Sequence, residues 1–337
     1  MRLRRSTPDR PGWTRRRSGR GFVYLDADGQ RLTDAEQVRR IRELVIPPAW
    51  QEVWICPWPN GHLQAVGTDV KGRRQYLYHP RWREDRDHDK HRRMLDFAHD
   101  LPAARVRVAE HLELPGMPRE RVLAAAFRML DLGLFRIGGE AYAQENNSFG
   151  LATLRKDHAR VRSGSVVDFA YPAKSGVRRV FSIDDEPIVD VVRTLRRRRG
   201  GGDELLAWRR GRAWVDLASS DISAYVKEVV SPGASAKDFR TWHATVLAAI
   251  AFAGRPGAQS PTALKRAVAQ VMREVSGELG NTPAVCRASY VDPRVARGFQ
   301  QGTTIRSALR RVPEGVAATT DEGVERAVLR LLRKVGD

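Results

Sequence analysis

The sequence predicts an α+β protein: a small antiparallel β-rich N-terminal domain followed by a larger, mostly α-helical domain that carries a minor β-sheet. Three observations predict it. The first 80 residues hold short runs with aromatic or branched side chains at alternate positions, separated by Gly and Asn-Gly, the pattern of half-buried strands joined by tight turns. After Pro80 the apolar spacing changes to three and four residues, the period of helices packed on one side. The chain has 337 residues and is 42% hydrophobic, enough to build two ordinary domains with cores of their own.

In chain order, residues 1–20 (MRLRRSTPDRPGWTRRRSGR) hold eight arginines, one acid and two prolines. They read as a flexible basic arm, either a source of sequence-independent phosphate contacts or a solubilising tail. Residues 21–90 are expected to form the β-rich domain. FVYLDADGQRL reads as a strand ending in an Asp-Gly turn, and residues 34–43 as a short helix stopped by the prolines of IPPAW. WICPW, HLQAVGT and QYLYH read as three more strands. Residues 91–337 are expected to form the helical domain. Apolar spacing predicts helices over 81–98, 118–132 and 140–146. LATL, ARVR, VVDFAY and VRRVFSI read as short strands, the last two joined by the turn-like PAKSG. Helices resume over 184–199, 220–229, 236–252, 261–276 and 322–334, and RRRRGGGDE near residue 200 reads as an exposed loop.

Lys and Arg outnumber Asp and Glu by 59 to 40, a net charge of +19. Such a surplus repels itself unless a polyanion offsets it, and nucleic acid is the commonest one. The rival partner on charge alone is anionic lipid. Cys56 and Cys286 are far apart and in no metal-ligand spacing, which predicts a reducing compartment and neither disulfide nor structural zinc. The Arg-rich start lacks the apolar core of a signal peptide, and the longest apolar run, 244–254, falls short of the roughly 20 residues of a membrane span. A soluble cytoplasmic protein with no membrane partner is expected.

Several chemistries are disfavoured. DRDHDKH (85–91) offers metal ligands, but Arg and Lys interleave them and His88 and His91 lack the usual partners. There is no Walker loop, no G-x-G-x-x-G opening a helix, no G-x-S-x-G elbow and no H-E-x-x-H. No metal and no small-molecule cofactor is expected. What remains is a series of basic residues in distinctive contexts, followed by a tyrosine. Arg136 lies in LFRIGGEAYAQENNSFGLATL, Lys174 in PAKSG and Arg240 in KDFRTWHA. NTPAVCRASY (281–290) reads as a helix start, with Asn281 as the cap and Pro just inside. Taken singly, each residue is an ordinary surface charge or aromatic.

Taken together, RIGGEAYAQENNSFGLATL, KDFRTWHATVLAA and NTPAVCRASYVDPRV resemble the three signature blocks of type IB DNA topoisomerases in their compact poxviral and bacterial form. VIPPAWQEVWICPWPNGHLQAVGTDVKGRRQYLYHPRWR resembles the companion β-domain of the bacterial members, so the likeness runs from about residue 21 to the C-terminus. The resemblance implies a monomeric, nucleoid-associated enzyme whose two domains clamp duplex DNA. It would relax supercoils without ATP, through a 3′-phosphotyrosyl intermediate, strand rotation and religation. It makes Arg136 and Arg240 the catalytic arginines, Lys174 the turn lysine and Tyr290 the nucleophile. Asn281 stands where poxviral and nuclear members carry histidine, so its role there is neutral hydrogen-bond donation to a phosphate oxygen. Lys237, three residues before Arg240, resembles an auxiliary basic residue. Gln75, Tyr76 and Tyr78 match β-domain residues that contact DNA, although alternation also allows the tyrosines a place in the small core. Tyr142 and Asn146, spaced i, i+4, share one helix face that would enter the groove.

The chemistry suits the residue types. Attack on a phosphodiester builds charge on equatorial oxygens, which planar, permanently charged guanidiniums match. The 5′ oxygen is a poor leaving group, and Lys174 is the candidate acid. Free tyrosine ionises only at about pH 10, so the same cations must stabilise the phenolate. No general base is assigned. A tyrosine recombinase uses a similar set, but typically with His-x-x-Arg where this chain has Lys237-x-x-Arg240, and with a helical N-terminal domain. A DNA-binding protein without activity is the third reading.

Overall fold

The computed structural model describes residues 1–336 other than 163, 258–259 and 315–316, with the side chains of 87, 88 and 175 outside the description. The chain divides into two compact units, Met1–His91 and Arg92–Asp337.

The first unit is built on an antiparallel five-stranded sheet in the order β2-β1-β3-β4-β5. Its strands are β1 (Trp13–Ser18), β2 (Gly21–Leu25), β3 (Gln51–Ile55), β4 (Leu63–Thr68) and β5 (Arg74–Tyr78). Between β2 and β3, helix α1 (Ala35–Glu43) starts at Asp34, whose carboxylate accepts from the N–H groups of Glu36 and Gln37. On one sheet face Ile41 of α1 packs with Trp13, Val53, Ile55 and Ala65. On the other, a smaller cluster gathers Trp54, Cys56, Leu63 and Val66, with Trp58 against it.

The flexible arm expected over residues 1–20 is corrected. Trp13–Ser18 is an inner strand, paired with β2 on one side and β3 on the other. Trp13 is 8% exposed; the alternation that buries it is short and masked by arginines, so the sequence reads as a tail. Arg15 is structural, its guanidinium donating to the carbonyls of Ile46 (3.1 Å), Pro47 (2.6 Å) and Trp50 (2.8 Å).

The long helix α2 (Pro80–Leu112) outruns the predicted end at residue 98 and contains Pro102. An interior proline costs a helix about 3 kcal/mol. The buried positions Phe97, Leu101, Ala104 and Val108 continue the three- to four-residue spacing through it, and their burial at ~1.5–3 kcal/mol per large side chain outweighs that cost.

The second unit has one core. Helix α3 (Arg119–Gly133) is buried along most of its length, and α4 (Glu140–Asn146) is short and exposed. LATL is corrected from strand to a 3-10 turn, Leu151–Thr153. It is fixed because its N–H groups turn back onto the RIGG segment: Leu151 donates to the Arg136 carbonyl and Ala152 to that of Ile137, each at 2.8 Å. Gly138 (φ +83°) and Gly150 permit this approach, since a Cβ on Gly150 would lie 2.5 Å from Gly138. Strands β6 (Ala159–Val161), β7 (Val166–Pro172) and β8 (Arg178–Asp184) form an antiparallel three-stranded sheet. Helix α5 (Glu186–Arg197) follows, then β9 (Ala207–Arg210) and β10 (Ala213–Asp216), a hairpin too short for its pattern to announce.

The predicted exposed loop near residue 200 has a buried anchor. Arg198 is 8% exposed and donates to the carbonyls of Leu195, at 3.0 Å, and Leu205, at 2.9 Å. Helices α6 (Ser219–Val229), α7 (Ala236–Ala253), α8 (Pro261–Leu279), α9 (Pro283–Ser289), α10 (Pro293–Gln300), α11 (Arg306–Leu309) and α12 (Glu322–Val335) complete the unit.

A polar network ties α2, α3, α7 and α12 together inside this core. Arg105 makes a two-pronged pair with Asp131 (2.8 and 3.0 Å) and another with Glu325 (2.6 and 3.0 Å). His243 and Trp242 of α7 complete it, bonded to Asp131 at 3.0 Å and to Glu325 at 2.9 Å. Burial alone would raise the Asp131 carboxyl, but the His243 hydrogen bond and the Arg105 charge hold it well below the usual carboxylate range. Among the described residues no helix is long and apolar enough to cross a membrane.

Candidate active site

The C-terminal end of α8 organises the site. Its last turn leaves carbonyls without helical partners, and the helix dipole makes that end negative. Three consecutive carbonyls there each take one guanidinium. Arg179 of β8 donates to Glu278 at 2.8 Å, Arg240 of α7 to Leu279 at 2.7 Å, and Arg136 to Gly280 at 3.2 Å. Gly280 is left-handed (φ +62°), and a Cβ there would meet the Arg179 side chain at 2.9 Å. A glycine thus both ends the helix and admits Arg179.

Arg240 is 2% exposed, and its other terminal nitrogen donates to the Leu134 carbonyl at the left-handed cap of α3. Burial and the neighbouring Arg136 hold its pKa down to about 10, so it stays charged at neutral pH. Arg136 also donates to the side-chain oxygen of Asn281. The Asn281 amide nitrogen is buried and has no hydrogen-bond partner among the described residues. Asn281 is not the helix cap, as the sequence suggested. Thr282 caps α9, accepting from the Val285 N–H, with Pro283 as the first helical residue. Asn281 stands one residue earlier, which frees its side chain for Arg136.

Tyr290 follows α9 directly. Its N–H donates to the Cys286 carbonyl at 3.0 Å, and its own carbonyl accepts from the Thr245 hydroxyl of α7 at 3.4 Å. The ring lies 5.3 Å from the Arg240 guanidinium and 5.8 Å from the Lys237 ammonium. Burial would raise the phenol, but Arg240, Arg136 and Lys237 together bring it below its ordinary value. A second tyrosine, Tyr171 of β7, borders the same arginines but is 3% exposed, and burial pushes its phenol up.

Arg136, Arg240, Asn281, Tyr290 and Lys237 are therefore brought together. Lys174 is not: it is exposed on the turn Lys174–Gly176 between β7 and β8, and makes none of the contacts that tie the cluster. Arg179 is the member that sequence reasoning does not find, because VRRVFSI reads as a strand with two interchangeable arginines; only pairing decides that Arg179 faces α8. Of the groove candidates, Tyr142 is 41% exposed, and the Asn146 amide donates to the Tyr142 carbonyl at 3.1 Å. In the first unit Tyr76 and Tyr78 are 48% and 37% exposed and stacked at 6.2 Å on one face, so neither belongs to the small core. Gln75 points to the other face, its amide held by Asp69 at 3.0 Å. Among the described residues no group of three His, Cys, Asp or Glu side chains is placed to hold a metal, and Asp87 and His88 of the DRDHDKH stretch lie outside the described side chains.

Comparison with known proteins bears on this arrangement. Residues 21–69 match the bacterial DNA topoisomerase IB N-terminal domain, and residues 79–309 match the eukaryotic DNA topoisomerase I catalytic core. A DNA topoisomerase 1B of Acanthamoeba polyphaga mimivirus is 29% identical over 288 residues, covering 83% of this chain and 85% of the viral one. A DNA topoisomerase 1 of Daucus carota is 26% identical over 129 residues, 38% of this chain and 15% of the plant protein. The catalytic-core match spans the α8 terminus, its three arginines and Tyr290, and covers well over half of the chain. This chain belongs to the type IB DNA topoisomerases.

Proposed function

We propose that the protein relaxes supercoiled DNA, without ATP or metal, by transient cleavage of one strand through a covalent bond between Tyr290 and a 3′ phosphate. The observation that carries the reading is the convergence of three guanidiniums on one helix end beside a tyrosine whose phenol is lowered.

The Tyr290 phenolate oxygen attacks phosphorus, and the bond from phosphorus to the 5′ oxygen breaks. Arg136 and Arg240 stabilise charge on the equatorial oxygens. The unpartnered Asn281 amide supplies a neutral donor to the same phosphate. Lys174 gives a proton to the departing 5′ oxygen, which its position on an exposed turn allows once DNA lies over that turn. The products are a 3′-phosphotyrosine and a free 5′ hydroxyl. One ester has replaced another, so resealing by the reverse step needs no external energy. The family likeness supports a clamp of the β-rich and helical domains about the duplex, and a monomer acting on the nucleoid. Tyr76, Tyr78, Tyr142 and Lys237 are the further DNA contacts we assign.

Purified protein is expected to relax both positively and negatively supercoiled plasmid with EDTA present and ATP absent. Supercoils that persist under those conditions would sink the proposal. Arg179 is assigned as a positioning residue that shares the α8 carbonyls with the two catalytic arginines. Arg179→Gln should slow single-turnover cleavage by about 10- to 100-fold, the scale of one charge-assisted contact at ~1.4–2.7 kcal/mol. Arg179→Lys should recover part of the loss. DNA affinity, read by titration at fixed salt, should change less than threefold; an unchanged cleavage rate would remove Arg179 from the site.

A further inference from the structure

Residues before Gly21 fall outside the matched family regions, yet they are built into the first unit. Backbone pairing fixes them: Arg4 N–H donates to the Asn60 carbonyl and His62 N–H to the Arg4 carbonyl, each at 2.9 Å. The Ser6 hydroxyl donates to the Leu63 carbonyl at 2.9 Å, and the Trp54 indole to the Arg10 carbonyl at 3.0 Å. The Arg4 guanidinium lies 3.7 Å above the Trp58 ring. Residues 4–10 thus cover the Trp54, Cys56 and Trp58 side of the sheet, the face that α1 does not occupy.

Register tells which charges share that face. Tyr76 pairs with Val66, Val66 with Trp54, and Trp54 with Thr14. Directly opposed residues point to the same side, and alternation then puts Arg16 with Thr14. Arg16 therefore stands on the face that carries Tyr76 and Tyr78. Arg2, Arg5, Arg10 and Arg16 are all exposed, and among the described residues none has a side-chain hydrogen bond or ion pair. The one acid of this stretch, Asp9, is taken by the Thr7 hydroxyl at 2.7 Å.

We propose that this N-terminal layer is a second phosphate-docking surface, on which Arg2, Arg5, Arg10 and Arg16 hold the backbone of the duplex beyond the stretch touched by Tyr76 and Tyr78. The partner is double-stranded DNA, read by charge and without base contacts, because exposed guanidiniums on a rigid layer meet phosphates without a groove-entering element. β1 and β5 are three strand spacings apart, about 14 Å, so the two sets engage different phosphates. The inference rests on the proposed DNA-relaxing function and extends its footprint.

The test compares salt dependence of duplex binding by the full chain carrying Tyr290→Phe, with and without Arg2→Gln, Arg5→Gln, Arg10→Gln and Arg16→Gln. The slope of log affinity against log salt should fall by about 0.9 for each phosphate that is no longer neutralised, so by about 3 to 4 in the quadruple variant. A control removing four other exposed arginines, Arg197, Arg199, Arg310 and Arg311, should lower the slope by less than about 0.9, the equivalent of a single phosphate. An unchanged slope, or an equal fall in the control, overturns the docking surface. Failure of the unsubstituted protein to relax plasmid overturns the functional reading instead, and the two results are read separately.

Discussion

Tyr290→Phe should bind duplex DNA with near-native affinity and form no covalent adduct, lowering relaxation by on the order of 10⁴-fold or more, the scale on which a lost nucleophile acts. The substitution removes one oxygen and leaves the ring beside Arg240 and Lys237. Trapping on a nicked oligonucleotide followed by sequencing of the tyrosyl peptide checks it. The informative competitor is Tyr171, which borders the same arginines. Burial raises its phenol while the cluster lowers that of Tyr290, so phenolate forms more readily at Tyr290. An adduct that persists in Tyr290→Phe would transfer the chemistry to Tyr171 or another of the seven tyrosines. A pH profile tests the cause. Cleavage rises with pH as the phenol ionises, and Arg240→Gln, by removing the largest lowering charge, should move that rise to higher pH.

The second large effect lies in the core. Asp131→Ala leaves His243 without its partner and the buried Arg105 with Glu325 alone. Breaking one side of a buried charge network costs about 3–5 kcal/mol, which for a domain of this size lowers Tm by on the order of 10 °C. Calorimetry reads it directly, and a shift below ~2 °C would show that the network contributes little. The sign with pH follows from the depressed Asp131 carboxyl. Its contribution is complete above the ordinary carboxylate range and is lost as pH falls below it. The native protein should therefore lose stability below about pH 4 in a way that Asp131→Ala does not.

Periodicity made the long helices and the central strands legible, and residue order made Arg136, Arg240 and Tyr290 stand out. What escaped was set by tertiary contact. β1 carries one buried tryptophan among arginines, so composition conceals an inner strand. LATL has the apolar content of a strand, but its N–H groups are claimed by the RIGG segment. Pro102 signals a helix end to a local reading, whereas burial on either side carries α2 past it. Asn281 resembles a cap because it precedes proline by two; Thr282 caps equally well, and the Arg136 hydrogen bond decides between them. Arg179 and Arg178 are indistinguishable until strand pairing fixes which one reaches Glu278.

The last turn of α8 also has an electrostatic consequence for the free enzyme. Three guanidiniums crowd together with no ion pair to a carboxylate among the described residues, and the repulsion is answered by peptide carbonyls carrying roughly half an elementary charge in sum. That turn is a placeholder anion. On the proposed reading it keeps the cations assembled before a phosphate enters, so that little rearrangement is required. The Arg240 guanidinium is held down first by its burial and then by the charge of Arg136. On the proposed reading, a phosphodiester beside Arg136 and Arg240 would supply the full charge that the helix end supplies only in part.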